Sequence, residues 1–268
     1  MSERTPSPKI TIVTPSLNQG QFIEETIRSV LLQGYPNLEY IIVDGGSTDD
    51  TLKIIERYKS SLSECISGMD RGQSDAINIG FSEASGEILG WLNSDDYLLP
   101  NALQSVAEAY GRDPAAGGWF GGCERATETG KRIMIRHPNR LDFHGLADKA
   151  NNWIMQPACF ISAQAWRGCG PLDTGLAYAM DFDLWLKIAK RFRINRVDEP
   201  LAAARIHEDA KTRSNRGVMF AEIWTVQVRH GFENLAVQEM ADLWQRHKEL
   251  RRKVSQMERS LLYRVLRR

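Results

Sequence analysis

The residues best suited to chemistry are acids gathered in short polar clusters, each following an apolar run. Asn93-Ser94-Asp95-Asp96 follows Ile88 to Leu92, and Asp44-Gly45-Gly46-Ser47-Thr48-Asp49-Asp50 follows Tyr40 to Val43. Adjacent carboxylates such as Asp95 and Asp96 can hold a hard divalent cation whose remaining shell is water and phosphate; the plainer role is a cap for the next helix. Asp44 can accept hydrogen bonds from a base or ribose, while Gly45 and Gly46 let a ligand approach the backbone. Ser47, Asp49 and Asp50 sit where helix caps and dipole-favoured acids belong. In Asp70-Arg71-Gly72-Gln73-Ser74-Asp75, Arg71 can reach a phosphate, and Asp75 can cap a helix or touch a nucleotide. Asp181 and Asp183 lie two apart on an expected helix, so they face different ways. Acids beside Phe182 and Trp185 are candidates for a raised pKa, which suits a general base. His207, in Arg205-Ile206-His207-Glu208, is a metal or phosphate ligand or simply a surface histidine.

These clusters need elements to hold them. Lys9 to Pro15 reads as a buried strand, and Ser16, Asn18 and Gly20 are turn and cap residues ahead of a helix through Ile23, Ile27, Val30 and Leu31. Tyr40 to Val43 is a second strand, with a helix through Leu52, Ile55 and Tyr58. A weaker strand near Cys65 and Ile66 precedes a helix from about Ser74 to Ala84, and Ile88 to Leu92 is a fourth strand. Strands alternating with single helices imply an α/β fold, a mostly parallel central sheet flanked by helices. Ligands in such sheets sit beyond the carboxyl ends of the strands. Thr14 to Asn18, Asp44 to Thr48 and Asn93 to Asp96 therefore converge on one crevice. Beyond Gly117 the alternation loosens: Trp119 to Gly122 and Ile133 to Ile135 read as strands, Asn152 to Ile161 as extended, and Met180 to Lys190 as a helix. The boundary expected is a domain of residues 1–216 and a C-terminal helical extension of residues 217–268.

The 268 residues are 42% hydrophobic and 25% charged, which excludes collagen-like, disulfide-scaffold and wholly disordered classes. No apolar run approaches the ~18–20 residues of a membrane span. The polar, proline-bearing Met1 to Lys9 does not read as a secretory signal. Cys65, Cys123, Cys159 and Cys169 have no C-x-x-C spacing, so idle reduced thiols are expected. Lys and Arg balance Asp and Glu at 34 each, but Gln245 to Arg268 holds nine bases and two acids, a net +7.

The ordered motifs TIVTPSLNQG, IIVDGGSTDDT, DRGQSDAINIGFSEASGEILGWLNSDDYLLPNAL, MQPACFI, GPLDTGLAYAMDFDLWLKIA and ARIHEDAKT resemble a family 2 glycosyltransferase of the GT-A fold, from about Ile10 to Thr212. The resemblance implies a Rossmann-like nucleotide-binding half and an inverting enzyme using Mn²⁺ or Mg²⁺. The implied donor is a nucleotide-diphosphate sugar, UDP-sugar foremost, then dTDP- or GDP-sugar; the acceptor is a glycan or a lipid-linked molecule. By that resemblance Thr14, Pro15, Ser16, Asn18, Asp44 and Gly45 line the nucleotide pocket, and Arg71 and Asp75 complete it. Asp96 is a metal ligand, with Asn93 and Asp95 nearer the ribose and diphosphate. His207 lies near the metal, Lys211 near the diphosphate, and Asp181 is the catalytic base. Two departures stand out: the acidic element opens with the amide Asn93, and Met180 stands where the family's glutamate precedes its aspartate.

Leu250, Val254, Met257, Leu261, Leu262 and Val265 recur at spacings of three and four, an apolar stripe flanked by bases. It can lie on an anionic membrane, consistent with a cytoplasmic enzyme peripheral to the inner face, or pack in a short coiled coil of a homodimer. Nothing supports nucleic acid as a partner, since aromatic interleaving and recognition motifs are missing. Two rivals from other classes are weaker. A sugar-phosphate nucleotidyltransferase needs bases in the loop after the first strand, which here reads Pro15-Ser16-Leu17-Asn18-Gln19-Gly20. A non-catalytic binding protein has no need of Asp44, Asp95, Asp96 and Asp181 together.

Overall fold

The apolar runs of the first hundred residues become strands, and the amphipathic stretches between them become helices, in the computed structural model. It describes residues 7–208, 210–211 and 215–266, with side chains to residue 257. The elements are β1 (Ile10–Ser16), α1 (Ile23–Leu31), β2 (Leu38–Asp44), α2 (Thr51–Tyr58), β3 (Glu64–Ser67), α3 (Gln73–Glu83) and β4 (Ile88–Trp91). The strands stand in the order β3-β2-β1-β4, all parallel. Register aligns their carboxyl ends: Ser16 is opposite Asp44, Asp44 opposite Ser67, and Val13 opposite Trp91. The polar clusters thus emerge from one edge of the sheet, as strand–helix alternation requires.

The second half is mixed. It comprises β5 (Tyr97–Leu98), α4 (Ala102–Arg112), β6 (Gly118–Thr127), β7 (Arg132–Arg136), α5 (Phe143–Ala147), β8 (Cys159–Ser162), α6 (Ala163–Cys169), α7 (Met180–Ala189) and β9 (Ile194–Ile206). Beyond β4 the order continues β8-β6-β9-β5, with β7 on β6. Strand β8 runs antiparallel to both β4 and β6, so uninterrupted parallel pairing stops at β4. Only β6 and β9 are parallel in this half. The stretch Asn152 to Ile161 is not extended throughout, because a 3₁₀ turn at Gln156–Ala158 precedes β8. Strand β9 escapes sequence reading because Pro200 and scattered charges interrupt its apolar pattern. The register jumps there, from Phe120 opposite Arg196 to Gly122 opposite Pro200, so the proline sits where the ladder is already broken.

Packing explains the close layers. A Cβ at Gly80 would fall 2.4 Å from Val13 Cγ1, so α3 lies on β1 only because that residue lacks one. On the other half, Trp185 of α7 stacks on Trp91 of β4 at 5.3 Å and meets the Phe120 ring edge-on at 4.8 Å. All three rings are fully buried.

The chain divides into two compact units, Met1–Glu222 and Ile223–Arg268. Helix α8 (Arg216–Arg229) starts where the sequence boundary was expected, and the division falls within it. The second unit ends in α9 (Glu233–Leu266), where Leu250, Val254 and Met257 are 61%, 52% and 64% exposed. Leu261, Leu262 and Val265 of the expected stripe lie beyond the described side chains. Among the described residues, no helix is long and apolar enough to cross a membrane. Cys65 is exposed, the other three cysteines are buried, and all are free thiols.

Candidate active site

The tip of β4 is pinned from two sides. Antiparallel pairing of β5 with β9 sets Tyr97 opposite Ala203, which carries Arg205 and His207 back to the Asp95–Asp96 turn. The Arg205 guanidinium donates to the carbonyls of Asp95 (2.9 Å) and Glu128 (2.7 Å) and to Glu25 Oε2 (2.8 Å). It also lies over the rings of Phe22 and Tyr97. Thr26 Oγ1 donates to the carbonyls of Ser94 and Asp96, so the turn is held from α1 as well.

The acids face this frame. Asp96 is 6% exposed and accepts from the Arg205 backbone N–H at 3.0 Å and from Asn93 Nδ2 at 3.3 Å. Burial, reinforced by the neighbouring Asp95 charge, pushes its carboxyl well above the usual range. Asp95 Oδ2 lies 3.0 Å from His207 Nε2, and the imidazole packs on Phe22. Asn93 Oδ1 accepts from Gln73 Nε2 at 2.7 Å, and Gln73 Oε1 accepts from Lys211 Nζ at 2.9 Å. Asn93, Asp95, Asp96, His207 and Lys211 are thereby brought together. The amide at position 93 has a clear use: it donates to Asp96 while accepting from Gln73.

The loops after β1 and β2 are built around Asp44. That carboxylate is fully buried and accepts from the backbone of Gly46 and Ser47 and from the Ser47 and Ser67 hydroxyls. Asn18, at φ +52°, accepts from the Thr48 backbone, and its own N–H donates to Ser47. The Thr14 hydroxyl is buried against Tyr40. Thr14 and Asp44 therefore face inward, while Pro15 and Ser16 form the strand end, and Ser16 Oγ is buried with no hydrogen-bond partner among the described residues. A Cβ at Gly45 would lie 2.7 Å from Asp70 Oδ2, so the Asp70 carboxylate sits where a larger residue would displace it. Arg71 projects into solvent and forms a two-pronged pair with Asp75. Asp49 receives the N–H groups of Gly20 and Thr51, a structural duty that its place before α2 foretells.

Helix α7 carries Asp181 one turn before Trp185, so the acid shares the side of the helix whose Trp185 stacks on Trp91, the last residue of β4. Burial raises the Asp181 carboxyl above its ordinary value, against the pull of the Lys149 and Lys211 charges. Asp183 turns the other way, 1% exposed and paired with Lys187 at 2.7 Å. Glu222 fastens the approach to α7 by accepting from the backbone of Ala177, Tyr178 and Ala179. Thr26, Lys149 and Glu222 lie outside every motif quoted above, and Gln73 and Arg205 lie within motifs without having been singled out. Arg205 could have been found, because it stands two residues before His207 and so shares its side of the strand line.

The donor set suits a hard divalent ion. Two adjacent carboxylates at a buried turn, one of them pushed well above its ordinary value by burial and then by its charged neighbour, form a site short of positive charge. An imidazole on Asp95 adds a nitrogen donor. Among the described residues no three His, Cys, Asp or Glu side chains stand close enough to enclose a metal by themselves. Mg²⁺ and Mn²⁺ sites completed by phosphate and water need no such enclosure.

Known proteins supply the context for this geometry. An uncharacterized glycosyltransferase of Rickettsia typhi is 27% identical over 235 residues, covering 84% of this chain and 73% of its own. The mannosyltransferase PcManGT from Pyrobaculum calidifontis, solved with GDP-Man and Mn²⁺, superposes with a TM-score of 0.64 at 21% identity, over 84% of this chain and 65% of that one. S. aureus TarS residues 1–349, solved with UDP-GlcNAc, gives 0.62 at 19% identity, over 82% of this chain and 66% of that one. The chain thus spans just under two thirds of these solved structures, which share its fold. The model of glycosyl transferase family 2 matches residues 11–164, and this chain belongs to that family of glycosyltransferases.

Proposed function

We propose that the crevice binds a nucleotide-diphosphate sugar and transfers the sugar, with inversion, to an acceptor hydroxyl in surface polysaccharide or glycolipid synthesis. The observation that carries this reading is the convergence of Asp95, Asp96, His207, Lys211 and Asp181 around the tip of β4. The nucleotide lies along Pro15, Ser16, Asn18 and Gly45, with the inward Thr14 and Asp44 shaping the loops beneath it. Arg71 exchanges its partner Asp75 for a phosphate, and Lys211 faces the diphosphate. UDP-sugar is the donor put first, with dTDP- and GDP-sugars behind it; UDP-GlcNAc and GDP-Man are the molecules bound in the two solved structures of this fold.

Asp181 accepts the proton of the acceptor hydroxyl as its oxygen attacks the anomeric carbon from the face opposite the nucleotide diphosphate. A carboxyl raised by burial is a stronger base than an exposed one, and such help is typically worth ~10²–10⁴-fold. Asp96 and His207, with Asp95 between them, would hold Mn²⁺ or Mg²⁺. When bound, that ion neutralises charge on the departing diphosphate. The exposed Leu250, Val254 and Met257, among bases, support docking of α9 on an anionic cytoplasmic membrane face, where lipid-linked acceptors are presented.

The test is turnover. The full chain with Mn²⁺ is incubated with UDP-, dTDP- and GDP-sugars, and release of free nucleotide diphosphate is measured. Release from one nucleotide class supports the reading; release of pyrophosphate instead would mark a nucleotidyltransferase and overturn it.

A further inference from the structure

One buried cation beside the proposed base has no work in the scheme above. Lys149, two residues beyond the end of α5, is only 7% exposed. Its ammonium stands 5.0 Å from the centre of the Phe182 ring and 5.4 Å from that of Trp153. Phe182 is the residue directly after Asp181, and Trp153 is 39% exposed. An ammonium has three N–H donors. Among the described residues none of these makes a hydrogen bond, and no carboxylate approaches within the 4.0 Å of an ion pair; Asp181 itself stays beyond that range.

Ring faces attract a cation but accept no conventional hydrogen bond from it, and the gain is ~0.5–2 kcal/mol. Burying a charge without hydrogen-bond partners costs more than that. A lysine serving only the core would be replaced by an apolar chain at a gain, or would close on a carboxylate. Lys149 does neither. It leaves its donors unused at the edge of the cleft, next to an indole open to solvent. An exposed indole face packs well against the C–H face of a pyranose ring, and an ammonium with open donors beside it binds an anion through charge-assisted hydrogen bonds.

We propose that Lys149 and Trp153 form the acceptor subsite, and that the acceptor carries an anionic group, a carboxylate or a phosphate, close to the hydroxyl presented to Asp181. The sugar ring lies on Trp153 while its anionic oxygens take the free donors of Lys149. This rests on the reading of Asp181 as the base, and it adds the acceptor's charge class to that reading.

The experiment uses the full chain with UDP and Mn²⁺, titrated with maltotriose, trigalacturonate and glucose 6-phosphate by saturation-transfer NMR. Wild-type protein is expected to bind at least one acidic probe ~10-fold more tightly than maltotriose, the size of one charge-assisted hydrogen bond. The tighter of the two acidic probes names carboxylate or phosphate as the group. Lys149→Met should erase that preference, Lys149→Arg should keep most of it, and Trp153→Ala should weaken all three probes alike. Equal binding of neutral and acidic probes by the wild type, or no binding of any, overturns the proposal without recourse to a variant. So does a folded Lys149→Met protein that keeps the acidic preference. UDP affinity, measured on the same samples by calorimetry, reports the donor site separately, so failure of the nucleotide reading shows as lost UDP binding whatever the acceptor probes do.

Discussion

At the scale of single residues the account turns on two acids that share one helix. Asp181 and Asp183 are separated by one residue, and the helix turns them about 200° apart. Asp183 goes into the interior with Lys187, and Asp181 is the one we propose as the base. Asp181→Asn is expected to leave donor affinity unchanged and to lower transfer by about 10²-fold or more. Asp183→Asn should instead lower the melting temperature and spare turnover per folded molecule. Because burial holds the Asp181 carboxyl above the ordinary range, the acid side of the rate profile should be displaced upward. Rate is lost as pH falls through that raised value, since the protonated acid accepts nothing. A profile of kcat against pH that breaks at an ordinary carboxylate value, or loss of activity in Asp183→Asn alone, would exchange the roles of the two acids. Spacing alone gave only their opposite directions, and it was the family resemblance that chose Asp181. The ion pair with Lys187 shows that Asp183 is the buried one of the two, which no spacing rule could have supplied.

At the scale of elements, the parallel half of the sheet was legible because each strand is a short apolar run closed by a polar cluster. The mixed half was legible only in part: β6, β7 and α7 were read, but β9 hides behind Pro200 and its bulge, and β5 is two residues long. That loss matters for the site: without β5 on β9, only the family resemblance brings His207 to the acids, and nothing brings Arg205 there. The amino end of the parallel half is tied by a second buried acid, Glu39 of β2. It accepts from Thr11 Oγ1 of β1 at 2.6 Å and from Ser85 ahead of β4, and it pairs with Lys9 at 2.7 Å. Burial alone would raise this carboxyl, but the bonds from Lys9, Ser85 and Thr11 outweigh it and pull it down to about 2 from 4.5. A depressed acid stabilises the fold above its unfolded value and loses that contribution as pH falls through the folded one. The contribution at neutral pH is roughly 3 kcal/mol at one pKa unit per 1.4 kcal/mol. Glu39→Gln should therefore cost roughly 2–3 kcal/mol at pH 7, with the gap from wild type narrowing from about pH 4.5 down to about pH 2. Urea midpoints at the two ends of that range check it; a gap independent of pH would mean that the charge contributes nothing.

At the scale of the whole molecule, charge and exposure part company with the catalytic unit. The chain is neutral overall, yet Gln245 to Arg268 carries +7, and α9 exposes Leu250, Val254 and Met257. The apolar stripe was legible from its spacing of three and four; what covers it was not, because a membrane and a second helix ask for the same pattern. Truncation after Trp244 should abolish co-sedimentation with anionic vesicles, which the full chain should show at low salt and lose at high salt as each basic residue's ~1 kcal/mol is screened. Nucleotide affinity should be unchanged in the truncated protein. Vesicle binding that ignores lipid charge, or that survives the truncation, would leave the helix as a packing or dimerisation element.

The central claim, that the turn after β4 takes the diphosphate of a sugar nucleotide together with a divalent ion, is tested most directly by calorimetry. UDP, dTDP and GDP are titrated in turn into wild-type and Asp96→Ala protein, each with Mn²⁺ and again with EDTA. The account predicts that one of the three binds wild type at least ~10-fold more tightly with Mn²⁺, a difference of ~1.4 kcal/mol, and that Asp96→Ala loses this enhancement. Equal affinity in Mn²⁺ and EDTA for every nucleotide, or an Asp96→Ala protein that keeps the full enhancement, would contradict it.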